Sequence, residues 1–130
     1  VVTISLCMIV RNEEHTLGRC LDSVHDLTDE IVIVDTGSTD RTKEIAAQYT
    51  DKILDFEWID DFSAARNFSF AQATKEYIFW LDADDVLLEA DRQKFRELKE
   101  TLSPDVDAVL MDYVLSRDRL GGAQNMTRRH

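Results

Sequence analysis

Four short strand-like runs divide this chain, Ile4–Val10, Ile31–Val34, Lys52–Phe56 and Tyr77–Leu81; the first, second and fourth are apolar and stop abruptly in polar residues. The stretches between them carry apolar residues at helical spacing. The first holds Leu17, Cys20, Leu21 and Val24. The second holds Ile45, Ala46 and Tyr49, with Ser38 or Thr39 as its N-cap. In the third, Ser63 caps a helix with Ala65, Phe68, Ala71 and Gln72 on neighbouring positions. Short apolar runs alternating with amphipathic stretches read as strand and helix in turn. Strands separated by helices pair in parallel through crossovers, so the pattern predicts a three-layer α/β domain with a mostly parallel sheet.

After the fourth run a helix is expected over Asp91–Leu102, with Phe95, Leu98 and Leu102 on one face and Pro104, the only proline, ending it. Asp107–Leu115 reads as a last extended segment. Ser116–His130 is polar, contains Gly121-Gly122 and has no apolar period. No repeat, low-complexity segment or linker interrupts the chain. The expected organisation is therefore one domain over residues 1–115, incomplete on its C-terminal side, followed by a loop or truncated tail over 116–130. The chain opens on Val1 rather than Met, as a trimmed sequence would, and shows no signal peptide.

The fourth run ends in the most informative cluster. Tyr77-Ile78-Phe79-Trp80-Leu81 reads as a strand buried on both faces, and Asp82-Ala83-Asp84-Asp85 follows at once. Open α/β sheets place their ligand crevice at that end of the strands. Carboxylates so close repel one another unless a cation sits among them. Oxygen ligands suit Mg²⁺ or Mn²⁺, ions that keep waters and bridge to substrate phosphates.

The overall charge agrees. With 26 acidic residues against 15 basic, net −11, the chain is a poor match for nucleic acid, whose backbone calls for a positive surface. A net-negative protein that binds a diphosphate needs local positive charge, and a divalent ion would supply it. For most of the acids a solvated surface is explanation enough. No apolar run approaches a membrane span. Cys7 and Cys20 lack metal-ligand spacing and sit in apolar patterns, which reads as two buried thiols in a reducing, cytoplasmic setting. His15, His25 and His130 show no mutual metal spacing, and two glycosylation-type triplets, at Asn67 and Asn125, are too short to weigh.

Three further strand ends or loops bear candidate site residues. Val34-Asp35-Thr36-Gly37-Ser38-Thr39-Asp40 puts Asp35 at a strand tip, where its carboxylate can accept from a ribose hydroxyl or a base N–H. Turn and capping chemistry accounts equally for Gly37 to Asp40. In Val10-Arg11-Asn12-Glu13-Glu14, Arg11 can stack on or bond a ligand and Asn12 and Glu13 can fix the loop or touch a base, while Glu13 and Glu14 also suit the first turn of a helix. In Asp60-Asp61-Phe62-Ser63-Ala64-Ala65-Arg66-Asn67, Arg66 can meet phosphates or ribose by paired hydrogen bonds. It fits as well a surface arginine paired with Asp60 or Asp61.

In their order, Arg-Asn-Glu-Glu at a strand end, Ile-Val-Asp-x-Gly-Ser-Thr-Asp, Ser-Ala-Ala-Arg-Asn and Leu-Asp-Ala-Asp-Asp, these segments resemble the donor-binding half of family-two glycosyltransferases over roughly Thr3 to Leu102. The resemblance implies the GT-A fold, a nucleotide-sugar donor (most often a UDP-sugar), Mn²⁺ or Mg²⁺, and transfer with inversion to an acceptor hydroxyl on a glycan, lipid or protein. By similarity Asp35 holds the nucleoside, and Arg11, Asn12 and Glu13 line the base pocket. Arg66 lies near the ribose or phosphates, Asp82 beside the ribose and Asp84 on the metal. Asp85 follows the motif without an assigned role. Where many members carry a second acid after the residue matching Asp35, this chain has Thr36. Nothing in Asp105–His130 matches the family's general base. The fragment is expected to bind donor and to lack transfer on its own.

Two other classes stay open at this level. A sugar-phosphate nucleotidyltransferase also joins an α/β sheet to metal carboxylates, although Val10–Thr16 lacks the glycine-rich, basic loop such enzymes carry for a triphosphate. A non-catalytic module that binds a nucleotide sugar is the second.

Overall fold

A computed structural model describes residues 2–83, 86–101, 108–110 and 124–128, the last two segments as strands only. The chain runs β1 (Ile4–Val10), α1 (Leu17–Val24), a single 3₁₀ turn (His25–Leu27), β2 (Glu30–Asp35), α2 (Thr42–Ala46), β3 (Ile53–Asp55), α3 (Phe62–Ala71), β4 (Tyr77–Trp80), α4 (Glu89–Thr101), β5 (Ala108–Leu110) and β6 (Gln124–Arg128). Strand order is β3-β2-β1-β4-β6-β5. The first four are parallel, with Val10 opposite Asp35 and Ile4 opposite Tyr77. The chain thus steps outward from β1 to β3 and then returns to the other side of β1 as β4. That reversal defines the crevice at the strands' C-terminal ends.

Alternation along the strands sorts the core into two layers. Ile4, Leu6, Met8 and Val10 join Ile31, Ile33, Tyr77 and Phe79 against Leu17, Cys20, Leu21 and Val24 of α1, Ala46 of α2 and Phe95 of α4. On the other face Cys7, Val32, Val34 and Ile78 pack with Phe68 and Phe70 from α3. Phe79 and Phe95, both fully buried, meet with ring centroids 5.1 Å apart, and burying each such ring stabilises the fold by about 1.5–3 kcal/mol. Both cysteines are buried and neither forms a disulfide. Cys7 Sγ donates to the Ser69 carbonyl at 3.6 Å, and burial pushes its thiol up to about 12.

Three expectations are corrected. Helix α2 starts at Thr42, and neither Ser38 nor Thr39 caps it: Asp40 Oδ1 accepts from the Thr42 N–H at 2.9 Å, while Ser38 and Thr39 are engaged with Asn12. Helix α3 is capped by Asp61, whose carboxylate accepts from the Ala64 N–H at 3.1 Å, so Ser63 falls inside it. A strand, β6, stands in the segment read as loop, pairing antiparallel with β4 through Ile78–Thr127 and Phe79–Met126. The open edge of β4 recruits it although its residues show no apolar alternation, since strand formation follows tertiary context more than local propensity. Pro104, Leu102 and most of Asp107–Leu115 lie outside the described residues.

Candidate donor-binding site

The tips of β1 and β2 are tied together side by side. Thr36 donates from its N–H to the Val10 carbonyl at 3.1 Å, and its hydroxyl approaches the same oxygen at 3.4 Å. Asn12 bridges the two loops: its N–H donates to Ser38 Oγ at 2.9 Å and its Oδ1 accepts from the Thr39 N–H at 2.8 Å. This bridge requires Asn12 at φ 53°, a left-handed conformation that asparagine tolerates. Glu13 donates from its N–H to Thr42 Oγ1 at 2.8 Å, and its carboxylate accepts from Thr16 Oγ1 at 2.9 Å. Gly37, at φ 117°, closes the turn in a conformation side-chain-bearing residues rarely adopt.

Asp35 is only 2% exposed. Its Oδ1 accepts from the N–H groups of Gly37 and Ser38 at 2.8 and 2.7 Å. Its Oδ2 is buried and has no hydrogen-bond partner among the described residues. Leaving a buried acceptor unsatisfied costs about 1–3 kcal/mol, more for a charged group. One oxygen therefore builds the turn, and the other is left without a donor among the described residues.

Beside this tip lies an open cleft of about 310 Å³, lined by Ile9, Val10, Arg11, Glu13, Thr36, Trp58 and Phe62. Arg11 is exposed on its wall and makes no ion pair among the described residues. A smaller hollow shares Ile9 and Phe62 with the cleft and is walled by Arg66, Trp80 and Asp82. Arg66 pairs with neither Asp60 nor Asp61. Its guanidinium lies over the rings of Phe62 and Trp80, at 4.9 and 5.4 Å from the centroids, while Asp60 accepts from the Trp58 indole N–H and Asp61 caps α3. Two aromatic faces add about 0.5–2 kcal/mol each and fix the cation without neutralising it.

Of the residues singled out in the sequence, Arg11, Glu13, Asp35, Arg66 and Asp82 thus gather around the ends of β1, β2 and β4. Asn12 lies among them, but its side-chain oxygen is engaged in joining the two loops. Asp84 and Asp85 lie outside the described residues. Trp58, Phe62 and Trp80 were missed. The aromatic identity of Trp58 and Phe62 flanking Asp60-Asp61 was the available signal.

An open sheet with this strand order and this polar rim is that of the GT-A glycosyltransferases. The chain belongs to that class, and within it to the family described as glycosyl transferase family 2, whose profile matches residues 5–126. It is 35% identical over 115 residues to the SPbeta prophage-derived glycosyltransferase SunS of Bacillus subtilis, a match covering 86% of this chain and 27% of that protein. It is 54% identical over 85 residues to a TPR repeat-containing protein of Synechococcus elongatus, covering 65% of this chain and 21% of the relative. The chain thus spans between a fifth and a third of the length of these relatives. Among solved structures, glucosyl-3-phosphoglycerate synthase from Mycobacterium tuberculosis, crystallised with Mg²⁺ and UDP, superimposes with a TM-score of 0.71 at 18% identity, over 98% of this chain and 57% of that one. TarS of S. aureus gives 0.64 at 26% identity, over 83% of this chain and 21% of its own. No helix among the described residues is long and apolar enough to cross a membrane.

Proposed function

We propose that this chain is the donor-binding part of a metal-dependent, inverting glycosyltransferase that takes a nucleotide sugar, a UDP-sugar first of all, and passes the sugar to a hydroxyl of a glycan, lipid or protein acceptor. The observation that carries the reading is Asp35. A buried carboxylate oxygen without a partner among the described residues, at the joined tips of two parallel strands, is relieved when a ribose hydroxyl or a base N–H reaches it. Arg11 and Glu13 line the cleft next to this strand tip and bound the base. The preorganised Arg66 guanidinium and Asp82 stand at the neighbouring hollow, where the ribose and diphosphate follow. Fold relatives crystallised with UDP-glucose and Mn²⁺, or with GDP-mannose and Mn²⁺, support this class of donor.

Among the described residues no group of three or more His, Cys, Asp or Glu side chains is placed to hold a metal ion, and the assigned ligand, Asp84, lies outside them. The chemistry of the donor set fits all the same. Carboxylate oxygens suit Mn²⁺ or Mg²⁺, and a site with few protein ligands leaves positions for diphosphate oxygens. When bound, the ion offsets charge on the leaving nucleoside diphosphate. This chain's own residues bind and orient the donor. The general base is assigned to the acceptor-binding half of the intact protein. Two buried thiols outside any disulfide fit a reducing compartment, the cytoplasm.

Incubating the full-length protein with a panel of UDP-sugars and Mn²⁺ should release UDP, and Asp84→Ala should abolish metal-dependent UDP binding. If calorimetry finds that binding unchanged in Asp84→Ala, the metal assignment is wrong.

A further inference from the structure

We propose that Trp58 is the stacking wall for the donor's nucleobase, an inference that rests on the donor reading above. Trp58 lies between β3 and α3, is 37% exposed, and forms one wall of the cleft beside Asp35. Its ring is not a loose surface residue. The indole Nε1–H donates to Asp60 Oδ1 at 2.9 Å, and Asp60 adopts φ 58°, a left-handed turn that folds its carboxylate back toward the ring. The other aromatic wall, Phe62, already has its face against the Arg66 guanidinium, and Trp80 covers that same cation. Trp58 is therefore the aromatic wall with no cation over its face among the described residues.

The rest of the cleft suits a flat ring with a polar edge. Ile9 and Val10 supply apolar surface, Glu13 an acceptor and Arg11 a cation that makes no ion pair among the described residues. At about 310 Å³ the cleft has the size of a small-ligand site. Stacking on an aromatic side chain depends little on which base is present, because every base has a π face. The division follows directly: Trp58 supplies affinity for the base, whereas Glu13, Arg11 and Asp35 supply its identity.

Calorimetry on the intact protein with Mn²⁺ tests this, using UDP and inorganic diphosphate as probes. Trp58→Ala should weaken UDP by about tenfold or more and leave diphosphate unchanged. Trp58→Phe should keep UDP near the wild-type value. Asp60→Ala, which frees the indole without removing it, should fall between the two. Unchanged UDP affinity in Trp58→Ala, or an equal loss for UDP and diphosphate, overturns the stacking role while leaving the donor reading intact. A wild-type protein that binds no UDP overturns both.

Discussion

The two ends of the parallel sheet treat their charged groups in opposite ways. At the N-terminal end, Glu30 is saturated: its carboxylate accepts from Ser5 Oγ at 2.7 Å, from the N–H and hydroxyl of Thr74 at 2.9 Å each, and from Lys52 Nζ at 3.0 Å. Nearby, Asp29 Oδ2 accepts from the Ile4 N–H and from Lys99 Nζ, each at 2.8 Å. Among the described residues at the C-terminal end, Asp35 keeps one buried oxygen without a partner, Arg11 has no ion pair, and the Arg66 guanidinium lies over two aromatic faces. Both ends are built from the same strands and similar residue types. A charged group matched within the fold holds the structure together; one preorganised but left unmatched is where our proposal places the ligand.

The largest expected effect breaks the comparison at its open end. Asp35→Asn keeps an acceptor for the Gly37 and Ser38 N–H groups but removes the second carboxylate oxygen. It should weaken UDP by about thirtyfold, from the loss of a hydrogen bond to a charged acceptor, with the melting temperature maintained or raised. A substantial stability loss would make Asp35 a structural residue and erase the contrast.

At the closed end the reverse should hold. Glu30→Gln should lower stability by about 2 kcal/mol in urea denaturation and leave UDP affinity within twofold. Burial alone would raise the Glu30 carboxyl, but the hydrogen bonds from Ser5, Thr74 and Lys52 bring it down to about 2 from an ordinary 4.5. A depressed native pKa gives stability that is full above 4.5 and is lost as pH falls toward 2. The variant should therefore show a flatter stability–pH curve in that window.

Arg66→Lys sharpens the account of the aromatic clamp. An ammonium keeps the charge but loses the planar fork and much of the stacking, so UDP should weaken by about tenfold with little change in unfolding. The smallest effect concerns Cys7. With its thiol held at about 12 by burial, native protein at pH 8 should resist iodoacetamide at this position, and labelling followed by mass spectrometry should show modification only after unfolding.

Much of this was legible in the sequence. Continuous apolar runs gave β1, β2 and β4 because strands buried on both faces need no alternation. The candidate residues at their ends then fell together by topology alone, Arg11 after β1, Asp35 at the end of β2 and Asp82 after β4. What could not be read depends on contacts between distant residues. Asn12 meets Ser38 and Thr39 across 26 and 27 positions, so its loop-joining role is invisible locally. By spacing Arg66 is as good a partner for Asp60 or Asp61, but those carboxylates are taken by the Trp58 indole and the start of α3, and the ring of Trp80 arrives from another element. Strand β6 owes its existence to the free edge of β4 rather than to its own residues.

The most direct test of the central claim is titration of UDP into the intact wild-type protein, with and without Mn²⁺, alongside Asp35→Asn and Glu30→Gln. The account predicts one UDP site strengthened by Mn²⁺, lost or strongly weakened in Asp35→Asn and preserved in Glu30→Gln. Absence of UDP binding in both conditions, or equal weakening by the two substitutions, would contradict it.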